Sequence, residues 1–156
     1  MDIKTERDIL ALISNKVEES ISLEYKRCDS LSNTDKMKIE ISKDVSSFAN
    51  SVGGTIVYGM REEGHIPVEI DVGFNPQEIT KEWLESVISS RISPKIDGLK
   101  IIPIDLKEIR PSRYIYAVNI PQSTRAPHQA SDKRYYKRYN FKSAPMEDYE
   151  IKDIAN

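Results

Sequence analysis

The chain of 156 residues has one cysteine, six glycines, no apolar stretch approaching the ~20 residues that span a bilayer, and no surplus of positive charge. Each shortage removes a class of function. Cys28 alone cannot form an internal disulfide and has no CxxC partner for metal or redox chemistry, so it reads as an ordinary thiol. The missing apolar run speaks against a membrane partner. Met1-Asp-Ile-Lys opens straight into a charged amphipathic stretch, with neither an apolar leader nor an Arg/Ser-rich presequence, which makes a cytoplasmic location the expectation. Nucleotide-binding signatures are missing too: there is no Gly-Lys-Ser/Thr and no GxGxxG, and Gly53-Gly54 lies between a helix and a strand, the reverse of the Walker order. ATP is therefore not supported by a sequence motif, and the two glycines read as a tight turn with close packing. A net charge of −2 argues by itself against a dedicated nucleic-acid binder.

What is present is the composition of a globular protein, 38% hydrophobic and 31% charged, at a length suited to one domain. We read residues 1–156 as a single domain, alone or as the N-terminal module of a longer protein. The charge is unevenly placed. Residues 125–143 carry six Lys/Arg and one Asp, while the remainder carries 17 basic against 24 acidic residues, a net −7. A polyanion would find its site at that basic end.

Periodicity places the elements. Ile9, Leu10, Leu12, Ile13 and Val17 give a helical stripe from about Thr5 to Val17, opened by a Thr5/Asp8 capping pair. Strict alternation follows from Ser20 to Lys26, with Ile21, Leu23 and Tyr25 on one face and Ser22, Glu24 and Lys26 on the other, which predicts a strand. A second helix starts at Thr34 or Asp35, carries Met37, Ile41, Val45 and Phe48 on one side and ends near Asn50. A strand at Thr55–Gly59, a hairpin turn at Glu63-Gly64, a strand over 67–74, a helix over about 79–92, strands over 99–106 and 114–120, a last strand at 133–141 and a short acidic helix from Pro145 complete the chain. The predicted architecture is α+β, a mixed, largely antiparallel sheet with flanking helices.

In the basic segment, Arg125, His128, Lys133, Arg134, Lys137, Arg138 and Lys142 interleave with Tyr135, Tyr136, Tyr139 and Phe141. Phosphate-seeking charge mixed with stacking rings is the chemistry of nucleic-acid surfaces. A solvated edge strand whose Lys and Arg block further pairing gives the same pattern. His128, behind a proline in a loop, reads as a surface histidine. Near the other end, Glu24 and Lys26 share one face of the predicted first strand, which periodicity alone makes a solvent face. Glu19 differs from Glu24 in parity unless the chain bends between them.

Taken in order, Glu19-x4-Glu24-Tyr25-Lys26, then Val45-Ser-Ser-Phe48-Ala49-Asn50-Ser-Val-Gly53-Gly54-Thr-Ile-Val-Tyr-Gly59, acids ahead of Gly64, and Tyr135-Tyr-Lys-Arg138 resemble the Schlafen AlbA-type domain from about residue 5 to 154. The resemblance implies one of two activities. Microbial members are DNA-binding or ATP-binding domains, and some Schlafen proteins are endoribonucleases that cut structured RNA such as tRNA with a three-carboxylate site and Mn or Mg. Carried over by motif, the acids are Glu19, Glu24 and, as the third, Glu62 or its neighbour Glu63, with Lys26 beside them. Here Arg61-Glu62-Glu63 stands in place of the family's Asp-rich turn, giving a longer third ligand. Arg138 matches the family's Tyr-x-Arg pattern, which favours its face of the last strand and makes Arg134, Tyr136, Lys137, Arg138 and Lys142 the expected nucleic-acid contacts.

The leading expectation is thus a nucleic-acid-binding domain with metal-dependent endoribonuclease capacity. Glu19, Glu24 and Glu62 would ligate Mg or Mn, and Lys26 would steady the scissile phosphate. The alternative is a non-catalytic DNA- or nucleotide (ATP)-binding module of a microbial transcription regulator. A third reading is a homo-oligomer formed through an exposed edge near residue 133.

Overall fold

The computed structural model describes residues 2–156. Helix α1 spans Glu6–Ser14, and its start is the capping box read from the sequence: Asp8 N–H donates to Thr5 Oγ1 at 3.2 Å, and Thr5 N–H donates to Asp8 Oδ2 at 3.0 Å. The helix stops before Val17 because Lys16 turns left-handed at φ +50°. Val17 N–H then reaches Leu12 O and Lys16 N–H reaches Ile13 O, a Schellman closure in which Val17 still packs on the core.

The strand expected from Ser20 starts late. Ser22 N–H bonds the Ser20 hydroxyl, Ser20 and Leu23 exchange backbone bonds across Ile21-Ser22, and strand β1 runs only over Leu23–Lys26. Serine hydroxyls compete with ladder pairing in this way, and the result is a bend between Glu19 and Glu24. After a 3-10 turn at Cys28–Ser30, helix α2 (Asp35–Ala49) crosses back to strand β2 (Gly54–Tyr58), which lies parallel to β1. A Cβ on Gly54, whose φ is +150°, would sit 2.2 Å from Ser22 O, so the Gly-Gly pair serves close packing against the β1 turn.

Strands β3 (Met60–Glu63) and β4 (Ile66–Ile70) form a hairpin, followed by helix α3 (Lys81–Arg91) and strands β5 (Lys100–Asp105) and β6 (Tyr114–Ile120). The main sheet has the order β1-β2-β6-β5, parallel in its first pair and antiparallel in the others. The fold is the expected α+β single domain with a mixed, largely antiparallel sheet. On one face Val45 and Phe48 of α2 and Leu84 and Ile88 of α3 cover Ile56, Tyr58, Tyr116 and Val118. On the other, Ile9 and Leu12 of α1 and Met60 and Ile70 of the hairpin cover Leu23, Tyr25, Val57 and Ala117. Among the described residues no helix is long and apolar enough to cross a membrane.

The basic end departs most from expectation. Strand β7 covers only Tyr136–Tyr139, turns at Asn140-Phe141 and pairs with strand β8 (Lys142–Pro145), before helix α4 (Asp148–Ala155). This hairpin is separate from the main sheet, so β7 is not that sheet's edge. It lies along α2, where Asn50 Nδ2 donates to Tyr136 O and the Ser47 and Ser143 hydroxyls meet at 2.9 Å. The second half of α2 is therefore largely buried, with Asp44 and Ser47 meeting Ser143 of the hairpin and Ser42 meeting Ser131 of the preceding loop. His128, expected at the surface, is fully buried: Nδ1 lies 2.6 Å from Pro94 O and Nε2 lies 2.6 Å from Ser123 Oγ, while its backbone N–H donates to Asn50 Oδ1 at 2.7 Å and its carbonyl accepts from Asn50 Nδ2 at 3.0 Å, which fixes the loop against the end of α2.

Candidate functional site

The tips of both hairpins meet over Glu19. Gly64 (φ +56°) and His65 (φ +70°) make the two-residue turn between β3 and β4, a geometry that needs two left-handed residues. Glu19 is buried beneath it, its N–H donating to His65 O at 2.8 Å and its Oε1 lying 2.8 Å from His65 Nδ1. Glu19 Oε2 accepts from Tyr25 N–H at 2.9 Å, so the carboxylate caps β1 through its backbone and strand alternation does not govern it. Glu62 Oε2 accepts His65 N–H at 2.8 Å. One ligand atom from each of Glu19, Glu62 and His65 lies within 4.8 Å of the others. The hydrogen bond to Glu19 holds the His65 pKa above its ordinary value. Of the two third-acid candidates, Glu62 belongs to the group, whereas Glu63 is exposed and pairs with Arg61 at 3.8 Å.

Glu24 is not placed with these groups. It points to the α2 side of the sheet, where Oε1 accepts from Arg138 Nη1 at 3.2 Å and Oε2 lies 3.8 Å from Lys26 Nζ. Lys26 also pairs with Asp44 of α2 at 3.5 Å, and Ser143 of β8 donates to Asp44 Oδ1. Burial, and then repulsion from Asp44, push the Glu24 carboxyl up to about 7 against the pull of Lys26 and Arg138. Burial raises Asp44 as well, while the two acids hold the Lys26 ammonium above its usual pKa despite desolvation. Lys26 is thus engaged by two carboxylates inside the protein.

The five basic-end residues divide by burial. Tyr136 and Arg138 face inward, the opposite of the favoured ligand face: the Tyr136 hydroxyl bonds Asp132, and the Arg138 guanidinium bonds Ser20 O, Ile21 O and Glu24 while stacking 4.3 Å from the Phe48 ring. Their direction follows from β7 lying on α2, which sequence alternation alone did not reveal. Lys137 is half-buried and pairs with Glu150 of α4. Arg134 and Lys142 are exposed, as is Lys133. At the hairpin tip the Phe141 ring stacks on His65, with centroids 3.9 Å apart and planes 14° from parallel. Sequence reading did not assign His65; its signal was an imidazole three residues after Glu62 in a two-residue turn.

Residues 19–147 match the sequence model of the Schlafen, AlbA_2 family. The chain belongs to that family. Its domains are generally related to nucleic acids. No curated protein matches the sequence. Among solved structures, the crystal structure of the DIP2311 protein from Corynebacterium diphtheriae is similar at a TM-score of 0.59 and 13% identity, over 94% of this chain and 27% of that one. That likeness is one of fold.

The AlbA_2 domain has a donor set suited to a divalent cation at Glu19, Glu62 and His65. Two carboxylates supply hard oxygens and the imidazole a nitrogen, a mixture Mn accommodates more readily than Mg. A cation held there would replace the Glu19–His65 hydrogen bond by coordination. A Cβ on Gly53 would meet Gln122 N and Ile120 O at 2.7 Å, so this glycine, like Gly54, lets the backbone pack closely.

Proposed function

We propose that the domain binds nucleic acid along β7–β8 and holds a divalent cation, Mn or Mg, through Glu19, Glu62 and His65 beside a phosphate of the bound strand. The observation that carries this reading is the His65–Phe141 ring stack, which fastens the basic hairpin to the acidic group. Lys142 stands exposed beside that stack, Lys133 and Arg134 stand exposed at the other end of the hairpin next to α4, and the three supply sequence-independent attraction to phosphate along its length. Glu19 and Glu62 alone would repel a phosphate, so a shared ligand for acids and hairpin calls for a cation between them.

The same group supports a second reading, metal-dependent cleavage of an RNA phosphodiester. A bound divalent cation supplies Lewis-acid polarisation of phosphate and a more acidic water. Glu19 and Glu62 would hold it, and His65 would orient it from the turn. Binding without cleavage, on DNA as well as RNA, corresponds instead to a module of a transcription regulator.

Fluorescence anisotropy with labelled structured RNA and DNA, with and without Mn, tests both. Native protein is expected to bind more tightly with Mn, and Glu19→Gln to lose that gain. Strand scission by the native protein and not by Glu19→Gln supports the hydrolytic reading. Binding indifferent to Mn in both proteins removes the metal, and absence of binding to either nucleic acid removes the reading altogether.

A further inference from the structure

The hairpin tip forms a cleft of about 360 Å³ lined by His65, Tyr139, Asn140, Phe141 and Lys142, within the size range of small-ligand sites. Its chemistry is specific. Tyr139 leaves 58% of its surface in water, an unusual position for a large ring with no covering element. Phe141 is held flat against His65 and so presents a fixed rather than a mobile aromatic wall. Asn140, left-handed at φ +53°, places an amide in the turn between the two rings, and Lys142 brings an exposed ammonium. Two rings, one amide and one cation beside a phosphate-binding centre match the parts of a single nucleotide: base faces, base edge and phosphate.

Resting on the proposed nucleic-acid function, we infer that this cleft is a stacking subsite for one unpaired nucleobase next to the Glu19/Glu62/His65 group. It therefore selects single-stranded or looped nucleic acid over continuous duplex. In a duplex the faces of each base are covered by its neighbours, and a ring such as Tyr139 reaches one only after unstacking. An unpaired base brings its faces free, so the stacking gain is realised without that penalty. The position also explains why Phe141 lies on His65: the wall that receives the base is braced by the residue that lines the cation group.

The test measures anisotropy of the full chain, in Mn, with a single-stranded oligonucleotide and with the same strand annealed to its complement, in ribo and deoxyribo arms. A single-strand preference is expected in both arms. Tyr139→Ala is expected to weaken single-strand binding roughly 5- to 150-fold, the range for removing one base–ring stack, with duplex binding unchanged. Tyr139 is exposed, so this variant keeps the fold, which circular dichroism verifies. In the native protein, 2-aminopurine in the strand should be quenched on binding and recover with Tyr139→Ala. Equal affinity for single strand and duplex, or an equal loss of both in Tyr139→Ala, overturns the subsite while leaving nucleic-acid binding in place. No binding of any strand overturns the parent reading and the subsite together.

Discussion

Arg138 and Glu24 face each other inside the protein, Nη1 to Oε1 at 3.2 Å, with the guanidinium side chain wholly shielded from water. The pair joins the β7–β8 hairpin to β1 across 114 residues of chain. It also explains the Tyr-x-Arg pattern in structural terms. The arginine reaches under the hairpin, closes the Ser20–Leu23 turn through two carbonyls and neutralises Glu24.

Removing Arg138 takes away its bonds to Glu24, Ser20 O and Ile21 O and leaves the buried carboxyl with Lys26 as its one cationic partner. Arg138→Ala should lower stability by about 3–5 kcal/mol, and Arg138→Lys should recover little of it, because Nε, Nη1 and Nη2 each serve a different acceptor and a single ammonium nitrogen has no planar fork to reach all three. Urea denaturation followed by circular dichroism measures this. A loss within experimental scatter of zero would show the hairpin to be only loosely attached.

Glu24 makes the fold sensitive to pH. Its folded pKa of about 7 lies above its ordinary 4.5, so the folded state binds the proton more tightly than the unfolded chain does. The stabilisation is complete below about pH 4.5 and is lost as pH rises to 7, on the order of 3 kcal/mol for a shift of this size. Glu24→Gln should flatten the stability profile over that interval. A native profile already flat between pH 4.5 and 7 would show that Arg138 and Lys26 keep the carboxylate ionised.

The two glycines of contrasting surroundings give a local test of packing. Gly54→Ala drives a Cβ into the Ser22 backbone at 2.2 Å, where neither side can move without opening the β1–β2 start. Gly64→Ala meets nothing within 4 Å and bears only its left-handed φ of +56°, a penalty of about 1–2 kcal/mol. The first should fail to fold or lose more than twice what the second loses by thermal denaturation. Equal losses would contradict the close approach at Ser22.

The helices were legible from their apolar stripes, and β2 and β6 were legible as nearly continuous apolar runs because the sheet is covered on both faces. Thr5/Asp8 marked the start of α1, and Met37, Ile41, Val45 and Phe48 gave α2 its inner stripe. The second layer on α2 was not legible, since Ser42 and Ser47 look like a solvent face until the hairpin and the loop before it cover them. That hidden layer is also why Tyr136 and Arg138 were read as outward. Glu19 and Glu62 were legible by motif, and their meeting depended on the Ile21-Ser22 bend. His65 had no periodic signal, because its role comes from a turn that brings it back over a residue 46 positions earlier.

Burial finally divides the basic residues into those left free to meet phosphate, if the hairpin is the binding face proposed above, and those that build the fold. Arg134 and Lys142 are exposed, whereas Lys137 is held by Glu150 and Arg138 by Glu24. Replacing Arg134 or Lys142 by Ala should weaken binding to all sequences alike and reduce the slope of log affinity against log salt by about 0.7 for each phosphate of a single strand that is no longer neutralised. Lys137→Ala should change the slope less, because its ammonium is already paired. Anisotropy titrations across a series of salt concentrations read the slopes directly. Unchanged slopes for Arg134→Ala and Lys142→Ala together would mean that phosphate approaches another face, and the hairpin would then be a structural brace for the Glu19 group.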